Sequence, residues 1–267
     1  MAAPEQLRRL QQQFMRAMTP GSQVLDTIGF RVFVWPSGDL FYRNVAVPVA
    51  EPHDWGDAIR RMQDVFALMR RLPRLEFFEE LWPRLPAALE RAGYVREMRA
   101  PAMVLTEAGL TRTRSEEVGA ADAGPPATFL GATSPDALLQ AFLDFQTGIF
   151  QGPGRTMEPA ELPRLRTALR RGETMAAVIL TEGRPVAAGS LVGLGAEAEL
   201  AGVATRPDRR RAGLAERVCH SLLERFFATG GELAWLSAGG AGSDVLYRKL
   251  GFVTVGTQLN YGLPPAR

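Results

Sequence analysis

Three consecutive arginines at positions 209–211 lead directly into Ala212 and Gly213 and then into an amphipathic run. A helix start presents unpaired backbone N–H groups and a partial positive charge, so it can bind an anion. Gly213 lacks a side chain and would let a ligand approach the backbone closely, while arginine adds bidentate contacts to phosphate. This stretch favours a cradle for a pyrophosphate, although a solvated basic helix start has the same composition.

The composition narrows the classes of function. Lys+Arg 31 against Asp+Glu 29 gives a net charge of +2, too little for a protein that binds nucleic acid through a dense basic surface. Cys219 is the single cysteine, and His53 and His220 lie far apart, so neither an internal disulfide nor a metal site is expected. The sequence has no apolar run of membrane length and no secretory leader pattern. We therefore expect a cytoplasmic, bacterial-type protein without metal, membrane or nucleic-acid partners.

The elements that must position the arginines are read from hydrophobic periodicity. In the second half we expect strands at 128–133, 174–180, 186–193, 197–205, 233–237 and 252–262, and helices from Ser134-Pro135, over 158–171, over 212–228 and over 243–251. The cradle then follows the strand that ends at Thr205 and opens the helix of 212–228. This is the strand–turn–helix context that an anion site needs.

The first half repeats part of this order. We expect a helix over 4–18, strands at 28–35 and 40–50 around a turn at 36–39, a helix over 54–72, a strand at 74–78, a helix over 79–92 and a strand at 94–106. A small, polar segment rich in Gly and Pro separates the halves and predicts a linker at 111–126. The expected domains are 1–110 and 127–267, related as a weak internal repeat.

Two signatures in the second half resemble those of the GCN5-related N-acetyltransferase (GNAT) superfamily. The first is Arg/Gln-x-x-Gly-x-Gly/Ala, with Arg210, Gly213 and Ala215 at its defined positions. The second is Leu-Tyr-x-x-x-Gly-Phe, which occurs as LYRKLGF with Leu246, Tyr247, Gly251 and Phe252. The resemblance implies an α/β (α+β) fold of two GNAT-like domains. Each would have a mixed, mostly antiparallel central sheet flanked by helices, and the N-terminal copy would be degenerate.

The resemblance also implies a cosubstrate, acetyl-CoA, and roles for named residues. The strand before the cradle would splay from its neighbour and bind the pantetheine arm through its backbone, and the following amides would bind the pyrophosphate. The expected cofactor-binding residues are Val203, Ala204, Thr205, Arg210, Arg211, Ala212, Gly213, Leu214 and Ala215. Glu199 matches the family's catalytic glutamate and is the first candidate for the base that deprotonates an amine. Glu197 is the second candidate, and Tyr247 is the expected acid for the departing thiolate.

Two departures leave alternatives open. Gly240 stands where many family members have an asparagine that contacts the cofactor arm. The stretch 48–62, which corresponds to the cradle in the first half, has acidic residues in place of arginines, so we expect the N-terminal half to bind no CoA and to shape the acceptor cleft. The main hypothesis is acetyl transfer from acetyl-CoA to a primary amine, and the alternative is an acyl-CoA-binding sensor or scaffold without catalysis.

The expected acceptor is a small-molecule or peptide amine, and a homodimer is compatible with the sequence. Candidate lining residues are Phe145, Phe150, the 151–156 loop and Tyr261. They do not identify the acceptor molecule.

Overall fold

The structure, a computed structural model, describes residues 3–36, 43–110, 125–152, 154–157, 160–240 and 242–264. It contains two compact units. Unit 1 comprises residues 1–103, 237–244 and 254–267, and unit 2 comprises residues 104–236 and 245–253. No helix of the described residues is long and apolar enough to cross a membrane.

Unit 1 is built on a mixed sheet with helices on both faces. Its helices are α1 (Ala3–Met18), α2 (Trp55–Leu68) and α3 (Leu85–Arg91). Its strands are β1 (Gln23–Asp26), β2 (Phe30–Val34), β3 (Val45–Pro48), β4 (Arg74–Phe78), most of β5 (Val95–Leu105) and nearly all of β11 (Val253–Gly262). The strand order is β1-β2-β3-β4-β11-β5. Only the β3–β4 pair is parallel among the pairs whose register is defined.

The core of unit 1 lies between the sheet and the helices α2 and α3. Alternate strand residues such as Val32, Phe77 and Tyr261 face Ile59 and Leu89 of these helices. The opposite face is covered by Phe14, Met15 and Met18 of α1, which pack on β2 and β3. Because β2 and β3 bury apolar residues on both faces, period-2 alternation is weak in these strands.

Unit 2 has the same layered design. Its strands are β6 (Thr128–Leu130), β7 (Thr174–Thr181), β8 (Arg184–Val192), β9 (Glu197–Thr205) and β10 (Leu233–Ser237), in the order β10-β9-β8-β7-β6. Its helices are α4 (Asp136–Gln151), α5 (Glu161–Arg171), α6 (Leu214–Ala228) and α7 (Ser243–Lys249), which begins in unit 1. The expected fold class, a mixed and mostly antiparallel sheet flanked by helices, is confirmed.

The element order of the first half recurs in the second. The series α1-β1-β2-β3-α2-β4-α3-β5 has the same sequence of element types as α5-β7-β8-β9-α6-β10-α7-β11. Strand β11 does not follow a division of the chain into an N-terminal and a C-terminal half. It belongs almost entirely to unit 1 and lies between β4 and β5. Most of the predicted linker 111–126 lies outside the described residues, and the domain boundaries at 110 and 127 stay predictions.

Several predicted element boundaries were wrong for identifiable reasons. The helix predicted over 79–92 is interrupted, since Trp82 precedes Pro83 and leaves helical geometry, so α3 begins only at Leu85. The Ser134 hydroxyl accepts a hydrogen bond from the Gly131 N–H at 3.0 Å instead of capping α4. Strand β1 was not predicted, because all four of its residues are exposed and give no alternation.

Candidate functional site

The strand β9 forms one wall of the candidate site. It pairs in parallel with β10 only where Glu197 faces Leu233 and Glu199 faces Trp235. Beyond Glu199 the two strands have no further paired residues, although both strands continue. The strands therefore part at Glu199, and the backbone of 200–205 is left without a ladder on this side.

A β-bulge bends β9 shortly after this point. On the β8 side, Ala188 faces Ala204 and Ser190 faces Ala201, so Gly202 and Val203 together oppose the single residue Gly189. Gly202 has φ +62, a left-handed conformation, and its carbonyl accepts a hydrogen bond from Gln146 Nε2 of α4 at 2.7 Å. A bulge of this kind changes the direction of the backbone groups that follow it.

The segment for which we predicted a cradle lies between β9 and α6. Pro207–Arg209 is a 3-10 turn, Arg210 is extended, and Arg211 and Gly213 have φ values of +62 and +72. Helix α6 has no side-chain cap at Gly213, and its first internal bond runs from the Arg217 N–H to the Gly213 carbonyl at 3.0 Å. The amides of Leu214–Glu216 thus precede this bond at a helix start that no side chain blocks. This geometry suits an anion.

The charges around the cradle divide into paired and unpaired arginines. Arg206 donates from Nε and Nη2 to the two carboxylate oxygens of Asp208 at 2.6 and 3.0 Å, and this hydrogen bonding lowers the pKa of Asp208. Arg210 and Arg211 are exposed and form no ion pair within the described part of the chain. Two guanidinium groups are therefore available beside the open helix start.

Tyr247 lies on α7, partly buried, with its ring edge-on to Phe252 at a centroid distance of 5.9 Å. Burial raises the pKa of its hydroxyl, so the group stays protonated at neutral pH and can act as a proton donor. Lys249 Nζ donates to both carboxylate oxygens of Glu216 at 2.7 and 2.9 Å. This pair ties the helix of Tyr247 to the first turn of α6.

The candidate bases differ in their surroundings. Glu199 is half-buried at the last position where β9 pairs with β10, whereas Glu197 is buried at the start of that ladder. Further along β9, Ala204 is buried and Val203 is half-buried. The Thr205 hydroxyl is buried and has no hydrogen-bond partner in the described structure. Of the two glutamates, Glu199 lies nearer the point where the strands part.

The predicted acceptor lining is only partly supported. Phe145 packs against the core between α4 and the sheet, and Phe150 is 61% exposed. The Asp144 carboxylate accepts the Met157 N–H at 2.9 Å and so fixes the end of the loop that follows α4. The expectation for Tyr261 was wrong: it lies in the core of unit 1, stacked on Phe77, because the strand that carries it is buried in that sheet.

Sequence reasoning predicted the strand, turn and helix start of the candidate site, and it missed Gln146. Residues Val203–Thr205 end β9, and Arg210–Ala215 form the turn and the start of α6, as expected from their order in the chain. The Gln146–Gly202 contact joins residues 56 positions apart, and no local pattern signals it. Within the described residues, no group of three or more His, Cys, Asp or Glu side chains could hold a metal ion.

Comparison with known proteins agrees with this geometry. Residues 139–252 match the model of the Acetyltransferase (GNAT) family. A GCN5-related N-acetyltransferase from Kribbella flavida has a similar structure, with a TM-score of 0.76 and 22% identity, over 97% of this chain and 96% of that one. A tandem GNAT protein from the clavulanic acid biosynthesis pathway matches with a TM-score of 0.57 and 15% identity, over 100% of this chain and 98% of that one.

A functionally unknown conserved protein from Staphylococcus epidermidis shares the fold at a TM-score of 0.61 and 12% identity, covering 91% of this chain and 94% of that one. No curated protein is significantly similar to the chain in sequence. At these identities the structural likeness shows the fold, and the family match covers the segment that contains both predicted signatures. Residues 139–252 therefore match the GNAT family of acetyltransferases, and the chain shares its fold with solved GNAT structures.

Proposed function

We propose that the chain is an N-acetyltransferase that moves an acetyl group from acetyl-CoA to a primary amine, with its site in unit 2. The GNAT domain supports acyl-CoA-dependent acetyl transfer in general. The observation that carries the finer proposal is the continuity of 199–215: the opening between β9 and β10 leads directly into an uncapped helix start with two unpaired arginines. A thioester and its diphosphate can occupy the two ends of this one segment.

The residues present fit such a cosubstrate. The N–H groups at the start of α6 would bind the pyrophosphate, and Arg210 and Arg211 would add charge-assisted hydrogen bonds. The open backbone of Val203–Thr205 would bind the amide groups of the pantetheine arm, since its ladder partner is absent on that side. The buried, unpartnered Thr205 hydroxyl supports a polar ligand atom nearby.

The amine must lose a proton before it can attack the thioester. An alkyl ammonium has a pKa near ~10, so a base must take one proton before the nitrogen can attack. In our proposal Glu199, direct or through water, accepts that proton. The nitrogen then forms a bond to the thioester carbonyl carbon, and a backbone N–H near Val203 donates to the carbonyl oxygen as negative charge develops there.

Collapse of the tetrahedral intermediate breaks the carbon–sulfur bond and releases the CoA thiolate. In our proposal Tyr247, which is protonated at neutral pH, supplies the proton for the sulfur. The products are an N-acetyl amide and CoA with a free thiol. The positive charge left on the nitrogen after attack is lost when its second proton passes to solvent water.

We propose further that unit 1 binds no CoA at the start of α2. There the Asp54 side chain accepts the Gly56 N–H at 2.8 Å and caps the helix. The capping carboxylate both occupies a helix-start donor and places a negative charge where an anion would bind. This is the opposite of the open start at Gly213.

The acceptor in this proposal is a small-molecule or peptide amine. The proposal is also compatible with a homodimer of the chain. The test is CoA thiol release measured across a panel of amines, with background hydrolysis subtracted. We expect at least one amine to give turnover, Glu199→Gln to lower kcat and steepen its rise with pH, and Tyr247→Phe to lower kcat with little change in KM. Each effect should be on the order of 10²-fold.

The alternative function is an acyl-CoA-binding sensor or scaffold. Gly240 favours it, since this position offers no side chain to the cofactor arm and instead accepts hydrogen bonds from the Ser243 N–H and hydroxyl. Calorimetry separates the two functions. Tight acetyl-CoA binding without turnover on any amine would support the sensor and contradict the transferase.

A further inference from the structure

Unit 1 contains a cavity of about 370 Å³ that the proposed reaction does not use. It lies where α2 ends, where β4 and β5 begin and where β11 ends. Three arginines and one glutamate share its wall with apolar side chains. The charged residues are Arg70, Arg71, Arg74 and Glu97. The apolar residues include Leu72, Pro73, Val95 and Leu263.

The three guanidinium groups are held in different ways. Arg74 is paired with Glu97 and only 17% of its side chain is exposed. Arg71 is oriented by hydrogen bonds from Nη1 to the Arg70 carbonyl and from Nη2 to the Trp35 carbonyl, at 3.2 and 3.3 Å. Arg70 is exposed and its side chain has no ion pair or hydrogen bond within the described residues. With three positive groups and one negative group, the wall carries two net positive charges.

The backbone at Arg70 is strained. Arg70 has φ +54, and its N–H and that of Arg71 close the end of α2 on the carbonyls of Ala67 and Phe66. Among the described residues, four other helices end in the same pair of hydrogen bonds, and each has glycine at this left-handed position: Gly93, Gly172, Gly230 and Gly251. Glycine is favoured there because it has no Cβ. An arginine therefore costs stability at this turn, where the residue lines the cavity, and backbone strain of this kind clusters at functional sites.

We propose that this cavity binds a small phosphate monoester that carries a short apolar group. A phosphate monoester has a charge of about −1.5 to −2 at neutral pH, which matches the two net positive charges of the wall. The planar guanidinium groups offer paired donors to phosphate oxygens. Leu72 and Val95 are 62% and 52% exposed and supply an apolar surface beside them. The site is independent of the cradle in unit 2.

The experiment uses the full chain with labelled leucine and valine methyl groups, titrated with n-butyl phosphate and followed by NMR. We expect saturable shifts at Leu72, Val95 and Leu263. Arg70→Gly should raise the Kd at these methyls by at least about tenfold, since it removes a charge-assisted contact. It should leave the melting temperature unchanged or higher, so lost binding cannot be attributed to unfolding.

Arg211→Gly is the matched control. It also replaces an arginine at positive φ and removes one charge, but in the cradle, so the response of the three methyl groups should not change. Butyrate should bind more weakly than n-butyl phosphate, and n-butanol should give no saturable shift. Wild-type methyls that do not respond, an Arg70→Gly variant with unchanged Kd, or butyrate that binds as tightly as the phosphate would each overturn the proposal.

Discussion

Replacing Gly202 by alanine tests whether the bulge in β9 is held in the way the structure indicates. A Cβ at this position would overlap Gln146 Nε2 and lie 3.2 Å from its Cδ. The amide is the far end of a flexible side chain, so it can move away, but the move breaks its hydrogen bond to the Gly202 carbonyl. The new residue must also adopt φ +62.

The two costs can be added. A left-handed conformation costs a residue with a Cβ about 1–2 kcal/mol, and the lost hydrogen bond costs about 1 kcal/mol. We therefore expect Gly202→Ala to lower the free energy of unfolding by about 2–3 kcal/mol. The kcat/KM for acetyl transfer should fall with it, because the bulge aims the backbone at which we place the thioester.

The assay is urea unfolding of four variants beside the wild type. Gln146→Ala should cost only the hydrogen bond, about 1 kcal/mol. The double variant should lie close to Gly202→Ala alone, because the same hydrogen bond cannot be lost twice. Gly148→Ala is the control on the same helix: its Cβ would meet nothing within 4 Å, so stability should hold or rise. Strict additivity of the two single changes, or a Gly202→Ala protein as stable as the wild type, would refute this reasoning.

Three further predictions concern other sites. Gly213→Ala should cost about 1 kcal/mol of stability, because the alanine must adopt φ +72 although its Cβ would meet no atom within 4 Å. It should also raise the KM for acetyl-CoA with little change in kcat, measured by steady-state kinetics. Burial raises the pKa of Glu76 from 4.5 to about 7, so the contribution of this carboxyl group to stability falls as pH rises between these values. Glu76→Gln should remove that fall. The variant should gain on the order of 2–3 kcal/mol in the free energy of unfolding at pH 8 but not at pH 4, measured by urea unfolding at both pH values. Arg70→Gly should raise the free energy of unfolding by about 0.5–1 kcal/mol, measured in the same way, and a loss of stability would show that the arginine side chain has a structural role.

The sequence predicted the part of the candidate site that is contiguous in the chain. Strand β9, the arginine turn and helix α6 follow one another, so periodicity, Gly213 and the helix-start pattern were enough to place them. The outer strands and the pair of signatures then predicted the fold class. Each of these inferences depends on residues within one or two turns of each other.

What the sequence did not predict depends on contacts between distant residues. Gln146 meets Gly202 only because α4 packs on the sheet, and Tyr261 is buried only because its strand pairs with β4. The positive φ of Arg70 contradicts the local preference for glycine at a helix end, so the apolar pattern up to Leu72 suggested a longer helix. Sequence spacing alone cannot rank such pairings, because an extended strand or an amphipathic helix accepts many partners.

The position of β11 has a consequence for how the protein is made. Unit 1 takes its fifth strand in sheet order from Val253–Gly262, which follow all five strands of unit 2 in the chain, and this strand lies between β4 and β5. Until β11 has been synthesised, the facing edges of β4 and β5 lack their shared neighbour, with backbone donors and acceptors open to wrong partners. The sheet of unit 1 therefore cannot be completed before all the strands of unit 2 have been translated.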